Sequence, residues 1–229
     1  MSVEAPPAPP PVRQGWARPL IAVLAAVGLL LLGAAGGLLV GLPGSPSTSV
    51  PGADSVDVGF AQDMSEHHQQ AVEMASWERD HTTDPTLKQL AFDIETTQLQ
   101  QIGQMQGWLA LWGAATDSPG GKHMAWMTPE SHTHGTASSG TGVDTMPGMA
   151  TADQLRALRA ASGQQLDVLF LQLMLRHHEG GVTMLQYGAD HASVPQVRNL
   201  AAQMLSAQTS ESEYMKQLLA ARGGTPLPL

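Results

Sequence analysis

The chain predicts an all-α fold, an antiparallel four-helix bundle built from two repeated helical hairpins and preceded by a membrane-spanning helix. Three observations carry this. The segment FAQDMSEHHQQAVEM returns as FLQLMLRHHEGGVTM, with Phe60, Met64, His67, His68, Val72 and Met74 matched by Phe170, Met174, His177, His178, Val182 and Met184. The register continues without a gap through Asp80 and Asp190, His81 and His191, Pro85 and Pro195, Gln98 and Gln208, Met105 and Met215, so residues 60–109 recur as 170–219. Within a repeat, Leu87, Leu90, Ile94, Gln98, Gln101, Met105, Trp108 and Trp112 follow at three- and four-residue steps, the seam of a bundle helix. Residues 20–42 contain no charged or strongly polar side chain, enough to cross a bilayer as a helix.

Taken in order, residues 1–19 form a Pro-rich tail whose Arg13 and Arg18 place it on the cytoplasmic side of the 20–42 helix, with everything after it outside. The competing reading is a cleaved signal peptide and a secreted product, since Gly33, Ala34, Ala35 and Gly36 follow an apolar run; Leu38, Leu39 and Val40 continue that run and support a retained anchor. Gly33, Gly37 and Gly41 give two overlapping GxxxG patterns, a route to a homodimer. Residues 43–56 are a Pro/Ser/Gly linker. The first hairpin, 57–115, contains a helix running to about Asp80 and a second opening at Asp84 as N-cap with Pro85 in its first turn. Residues 116–150 are a long Gly/Ser/Thr/Pro loop rich in Met and His. The second hairpin, 151–222, begins with a short helix capped by Thr151 and broken near Gly163. Helices from about Gln164 to Asp190 and from Ser193–Pro195 to just before Gly223 follow, leaving 223–229 as a tail.

Composition narrows function. Without cysteine, an exported chain has no disulfide and no thiolate ligand. Setting aside Glu4, Arg13 and Arg18 leaves nine basic and nineteen acidic residues outside, which excludes nucleic acid as a partner and favours cations. No nucleophile triad, phosphate loop or nucleotide fingerprint is present, so binding is expected rather than catalysis.

All nine histidines, and every methionine except Met1, lie beyond residue 42. At 100° per residue, Phe60, His67, His68, Ala71 and Met74 fall within about 80° of Met64, whereas Glu66 and Glu73 lie near the opposite side. The imidazoles therefore face the apolar interior, where they need hydrogen bonds across the bundle, to Gln98, Gln101, Gln208 or Glu211, or a metal ion. The duplicated grouping makes Met64, His67, His68, Met74, Met174, His177, His178 and Met184 the candidate metal ligands. Thioether with imidazole points to copper, Cu(I) first, with Cu(II) or zinc as alternatives; hard cations would want inward carboxylates. His81, His191 and the loop donors His123, Met124, Met127, His132, His134, Met146 and Met149 are further candidates, because methionine in a loop has no core to fill. Ligation needs neutral imidazole, so affinity is expected to fall with pH around the ordinary histidine pKa of about 6.5.

The motif F-x-x-x-M-x-x-H-H-x-x-x-V-x-M in both halves, the run ASGQQLDVLFLQLMLRHHEGGV, and the register Gln208, Glu211, Met215 resemble the exported bacterial family called domain of unknown function 305, over about residues 57–222. The resemblance implies a ferritin-like bundle with functional paired histidines, and copper binding or resistance as in CopM-like members. Gln101 stands where the second repeat has Glu211, which argues against a symmetric carboxylate site. A di-metal oxidoreductase is the alternative, but Glu78 and His81 supply one Glu-x-x-His whose counterpart is Gly188 and His191. A metal-free helical interaction module is the other. The implied partners are a metal ion and, through the N-terminal helix, the membrane, with any delivery partner unspecified.

Overall fold

The computed structural model describes residues 50–127 and 142–229. The expected 20–42 anchor, His132 and His134 lie outside them, and no described helix is long and apolar enough to cross a membrane. The described residues form five helices: α1 (Val56–His81), α2 (Pro85–Trp112), α3 (Ala152–Ala160), α4 (Gln164–His191) and α5 (Pro195–Ala221). They contain no strand, only an isolated bridge between His123 and Val143.

The ends follow local chemistry. Ser55 caps α1 by accepting from Val58 N. Asp84 caps α2, accepting from Thr86 N at 2.8 Å with Pro85 at the first helical position, where a missing N–H is harmless. Thr151 and Gln154 close a reciprocal capping box on α3. Val194, the N-cap of α5, has no side chain able to cap. Asp57, from the first turn of α1, supplies the acceptor instead, taking Ser193 N at 3.0 Å, Ser193 Oγ at 2.6 Å and Val194 N at 2.8 Å. Its repeat partner Asp167 reaches the opposite corner, accepting from Thr82 Oγ1 at 2.8 Å. Each hairpin thus fastens the turn of the other. Asp57→Ala leaves the first turn of α5 without its acceptor and should lower unfolding free energy by about 1–2 kcal/mol in urea titration; a loss below about 0.5 kcal/mol would remove Asp57 from this role.

Each hairpin is antiparallel, and the two meet through α1 and α4. Their interior splits into two apolar clusters. One holds Met74, Leu87, Ile94, Phe170, Met174 and Met215, the other Phe60, Met64, Met105, Met184, Val197 and Met204. Every residue named in one has its repeat equivalent in the other, so a pseudo-twofold axis exchanges them. Along all four long helices the clusters are separated by a polar stretch, with His67 and His68 on α1, Gln98 on α2, His177 and His178 on α4 and Gln208 on α5, all buried.

Candidate metal centre

The axis passes between His67 and His177, whose ring centroids lie 3.8 Å apart at 33°. His68 stands 6.5 Å from His67, and His178 6.4 Å from His177. Two separate sites would hold equivalent rings apart. Here α1 and α4 cross antiparallel at the repeated motif, and four imidazoles share one layer in the middle of the protein.

Three rings have one nitrogen fixed. His67 Nε2 lies 3.2 Å from Pro147 O, His68 Nε2 2.9 Å from Gln101 Oε1, and His178 Nε2 2.8 Å from Glu211 Oε2. A peptide carbonyl, an amide oxygen and a carboxylate all accept, so each ring donates its Nε2–H and carries its lone pair on Nδ1. Those three Nδ1 atoms are buried without a partner, as are both nitrogens of His177. Gln208 Oε1 and both polar atoms of the Gln98 amide are likewise unpaired. Gly181 leaves the room: a Cβ there would stand 3.2 Å from His67 Cε1. Each unpaired buried group costs about 1–3 kcal/mol.

Burial pushes the His67 imidazole down to about 4, and Pro147 O offsets only part of this. Burial, then the neighbouring His67, takes His68 down to about 3. His177 falls well below its ordinary value for the same two reasons. These three rings are neutral at physiological pH. The expectation that protons compete with metal near pH 6.5 is therefore revised, since an imidazole denied water resists protonation well below that point.

Met64, Met74, Met174 and Met184 are fully buried but do not gather in one place: Met64 and Met184 belong to one apolar cluster, Met74 and Met174 to the other. No three His, Asp or Glu side chains converge on a metal position among the described residues.

The remaining candidates lie elsewhere. His81 and His191, in the last turns of α1 and α4, are exposed and stack on Trp77 and Tyr187 at 3.7 and 4.0 Å. Glu78 is buried while His81 is exposed, so the Glu-x-x-His pair does not act together. His123 Nδ1 lies 3.0 Å from Asp63 Oδ1, and Asp63 also accepts from Ser118 Oγ, Met124 N and Trp126 Nε1. This knot seats the described loop residues on the bundle. Met146 is buried, and Met124, Met127 and Met149 pack on the same apolar cluster, so loop methionines do have a core to fill.

The loop also contributes what the sequence reading missed. Gln70 grips Ala150, donating to its carbonyl at 3.0 Å and accepting from its N–H at 2.6 Å. At its repeat equivalent, Gly180, a Cβ would collide with the backbone of Pro147 and Gly148. Gln70 and Gly180 together lay residues 147–150 across α1 and α4 and bring Pro147 O to His67. The sequence signal is weak: Gln70 and Gly180 are one of several unmatched pairs between the two repeats.

Residues 57–219 match the family described as domain of unknown function, DUF305. The chain belongs to the DUF305 family. A DUF305 protein of Streptomyces coelicolor, described as secreted, has 42% identity, covers 78% of this chain and all of its own, and superposes with a TM-score of 0.69. A DUF305 fragment from Deinococcus radiodurans has 30% identity over 75% of this chain and 99% of its own, with a TM-score of 0.59. CopM in its Cu(II)-bound form has 25% identity over 72% of this chain and 96% of its own, with a TM-score of 0.51. A comparison with the curated proteins finds no match.

Proposed function

We propose that this DUF305 protein binds copper at the central imidazole layer, outside the cytoplasm and tethered through residues 20–42, and so buffers the ion or confers resistance to it. One observation carries the reading: three buried rings have Nε2–H tied to fixed acceptors and keep Nδ1 lone pairs buried without a partner. Metal-ligating histidines have this arrangement, with the far N–H tied to a carbonyl or carboxylate. The layer offers neutral nitrogen donors between methionine-bearing apolar layers, a donor set for copper rather than for calcium or magnesium. Relationship to CopM, which was crystallised with Cu(II), supports the same ion.

Metal analysis of protein purified from copper-supplemented cells tests this. Wild type should carry copper, and His67→Ala/His68→Ala/His177→Ala/His178→Ala should carry less than a tenth as much. Iron with oxygen consumption would favour a di-metal oxidoreductase. A metal-free wild type would favour an interaction module.

A further inference from the structure

The two halves of the imidazole layer differ in one chemically decisive place. His68 donates to the neutral amide of Gln101, whereas its equivalent His178 donates to the carboxylate of Glu211. Every other donor facing the layer is neutral: imidazole, amide or peptide carbonyl. A cation buried among neutral groups lacks counter-charge, and the interior penalises that strongly.

Neighbouring carboxylates are committed elsewhere. Asp63 accepts from Ser118, His123, Met124 and Trp126. Glu179 pairs with Lys216 at 3.1 Å, and Glu73 with Arg159. The nearby cation Arg176 is turned to the loop, donating to Met149 O and Gln154 Oε1. Glu211, with 28% of its side chain exposed, touches the layer directly through a buried ring.

We propose, resting on the copper-binding reading, that Glu211 is the counter-charge of the site. It is a positioning residue that acts through the His178 ring, strengthening binding of both copper oxidation states and that of Cu(II) more than that of Cu(I). Coulomb attraction scales with the charge of the ion, so one carboxylate one ring away acts about twice as strongly, in free energy, on a divalent as on a monovalent ion. Outer-shell partners of this kind typically change metal affinity by about 10–100-fold.

The experiment measures Cu(I) and Cu(II) affinities of the full chain by chelator competition, together with the copper reduction potential. Glu211→Gln, which makes the second half like the first, should weaken Cu(I) about tenfold and Cu(II) about a hundredfold, raising the potential by about 60 mV. Glu211→Gln combined with Gln101→Glu moves the charge to the equivalent position and should restore both affinities to within about threefold. Gln101→Glu alone, in a wild-type background, should strengthen Cu(II) more than Cu(I), which keeps the idea testable if Glu211→Gln folds poorly. Equal losses for both ions, no rescue by the swapped pair, or no gain from Gln101→Glu would overturn the proposal while leaving copper binding intact. A wild-type chain that binds neither ion overturns the copper reading itself.

Discussion

Taken from pH 6.5 to 4.5, the metal-free protein should lose roughly 5 kcal/mol of unfolding free energy. Burial holds His67 at about 4, His68 at about 3 and His177 well below its ordinary value, so all three are neutral when folded across this interval. Unfolded, each titrates near 6.5 and takes up a proton, so their contribution is complete above 6.5 and is lost as pH falls toward the folded values. Glu78 runs the other way. Burial first, then the charge and hydrogen bond of Asp167, raise it to about 8, so its contribution is present below about 4.5 and is lost as pH rises toward 8. Between 4.5 and 6.5, three rings against one carboxyl leave a net of two protons, about 2.7 kcal/mol per pH unit. Above 6.5 only Glu78 remains, and stability should decline by about 1.4 kcal/mol per unit. A maximum near pH 6.5 with a steeper acid limb is expected in urea titrations at pH 4.5, 5.5, 6.5 and 8, and Glu78→Gln should flatten the alkaline limb and steepen the acid limb, from a net of two protons to three. A flat acid limb would mean that water reaches the rings. Copper affinity of the folded protein should in turn change little between pH 7.5 and 5.5 so far as it depends on His67, His68 and His177, because those three rings gain no proton there.

Much of this arrangement was legible before any coordinates. Asp84 and Thr151 cap helices as their side chains predict, and the angular arithmetic that put Met64, His67, His68 and Met74 on one face agrees with their burial. A constant repeat offset also implied equivalent environments for the two HH pairs. It could not locate the axis relating them, because that depends on how α1 crosses α4; only the fold shows that His67 meets His177 and that the methionines are sorted into different layers. Long-range capping was similarly hidden. Asp57 reads as an ordinary first-turn acid, yet its partners Ser193 and Val194 lie in the other hairpin. Where the loop methionines Met124, Met127, Met146 and Met149 would pack was hidden for a physical reason. Gly, Ser and Pro fix a segment's conformational freedom, whereas its attachment comes from Asp63, Gln70 and Gly180 on the bundle, so Met146 finds an apolar cluster that composition cannot reveal.

His177→Leu should make the metal-free protein more stable by about 1–3 kcal/mol and at the same time abolish its stabilisation by copper. A buried residue is normally worth keeping, and the expected sign is reversed here because of what His177 lacks. Its ring is 1% exposed and neither nitrogen meets a partner in good geometry, the His67 backbone offering only a weak contact, so it bears a desolvation cost with little in return. Leucine fills similar space between the two apolar clusters, removes both unpaired atoms and relieves His67 of the ring 3.8 Å away. With copper at a hundred times its dissociation constant, wild type should gain about 2.7 kcal/mol, a gain the variant should lack. The acid limb should also shallow by about 1.4 kcal/mol per pH unit, since one ring fewer is protonated on unfolding. Urea midpoints with and without copper, at pH 6.5 and 5, measure all three. A variant less stable than wild type without copper would mean that His177 is a packing residue whose nitrogens are satisfied. A variant that keeps the copper-dependent gain would mean that the ion binds outside this layer. Stability surrendered in the metal-free state at one ring, and recovered only when an ion arrives, is how a site built to hold metal differs from a core that happens to contain histidine.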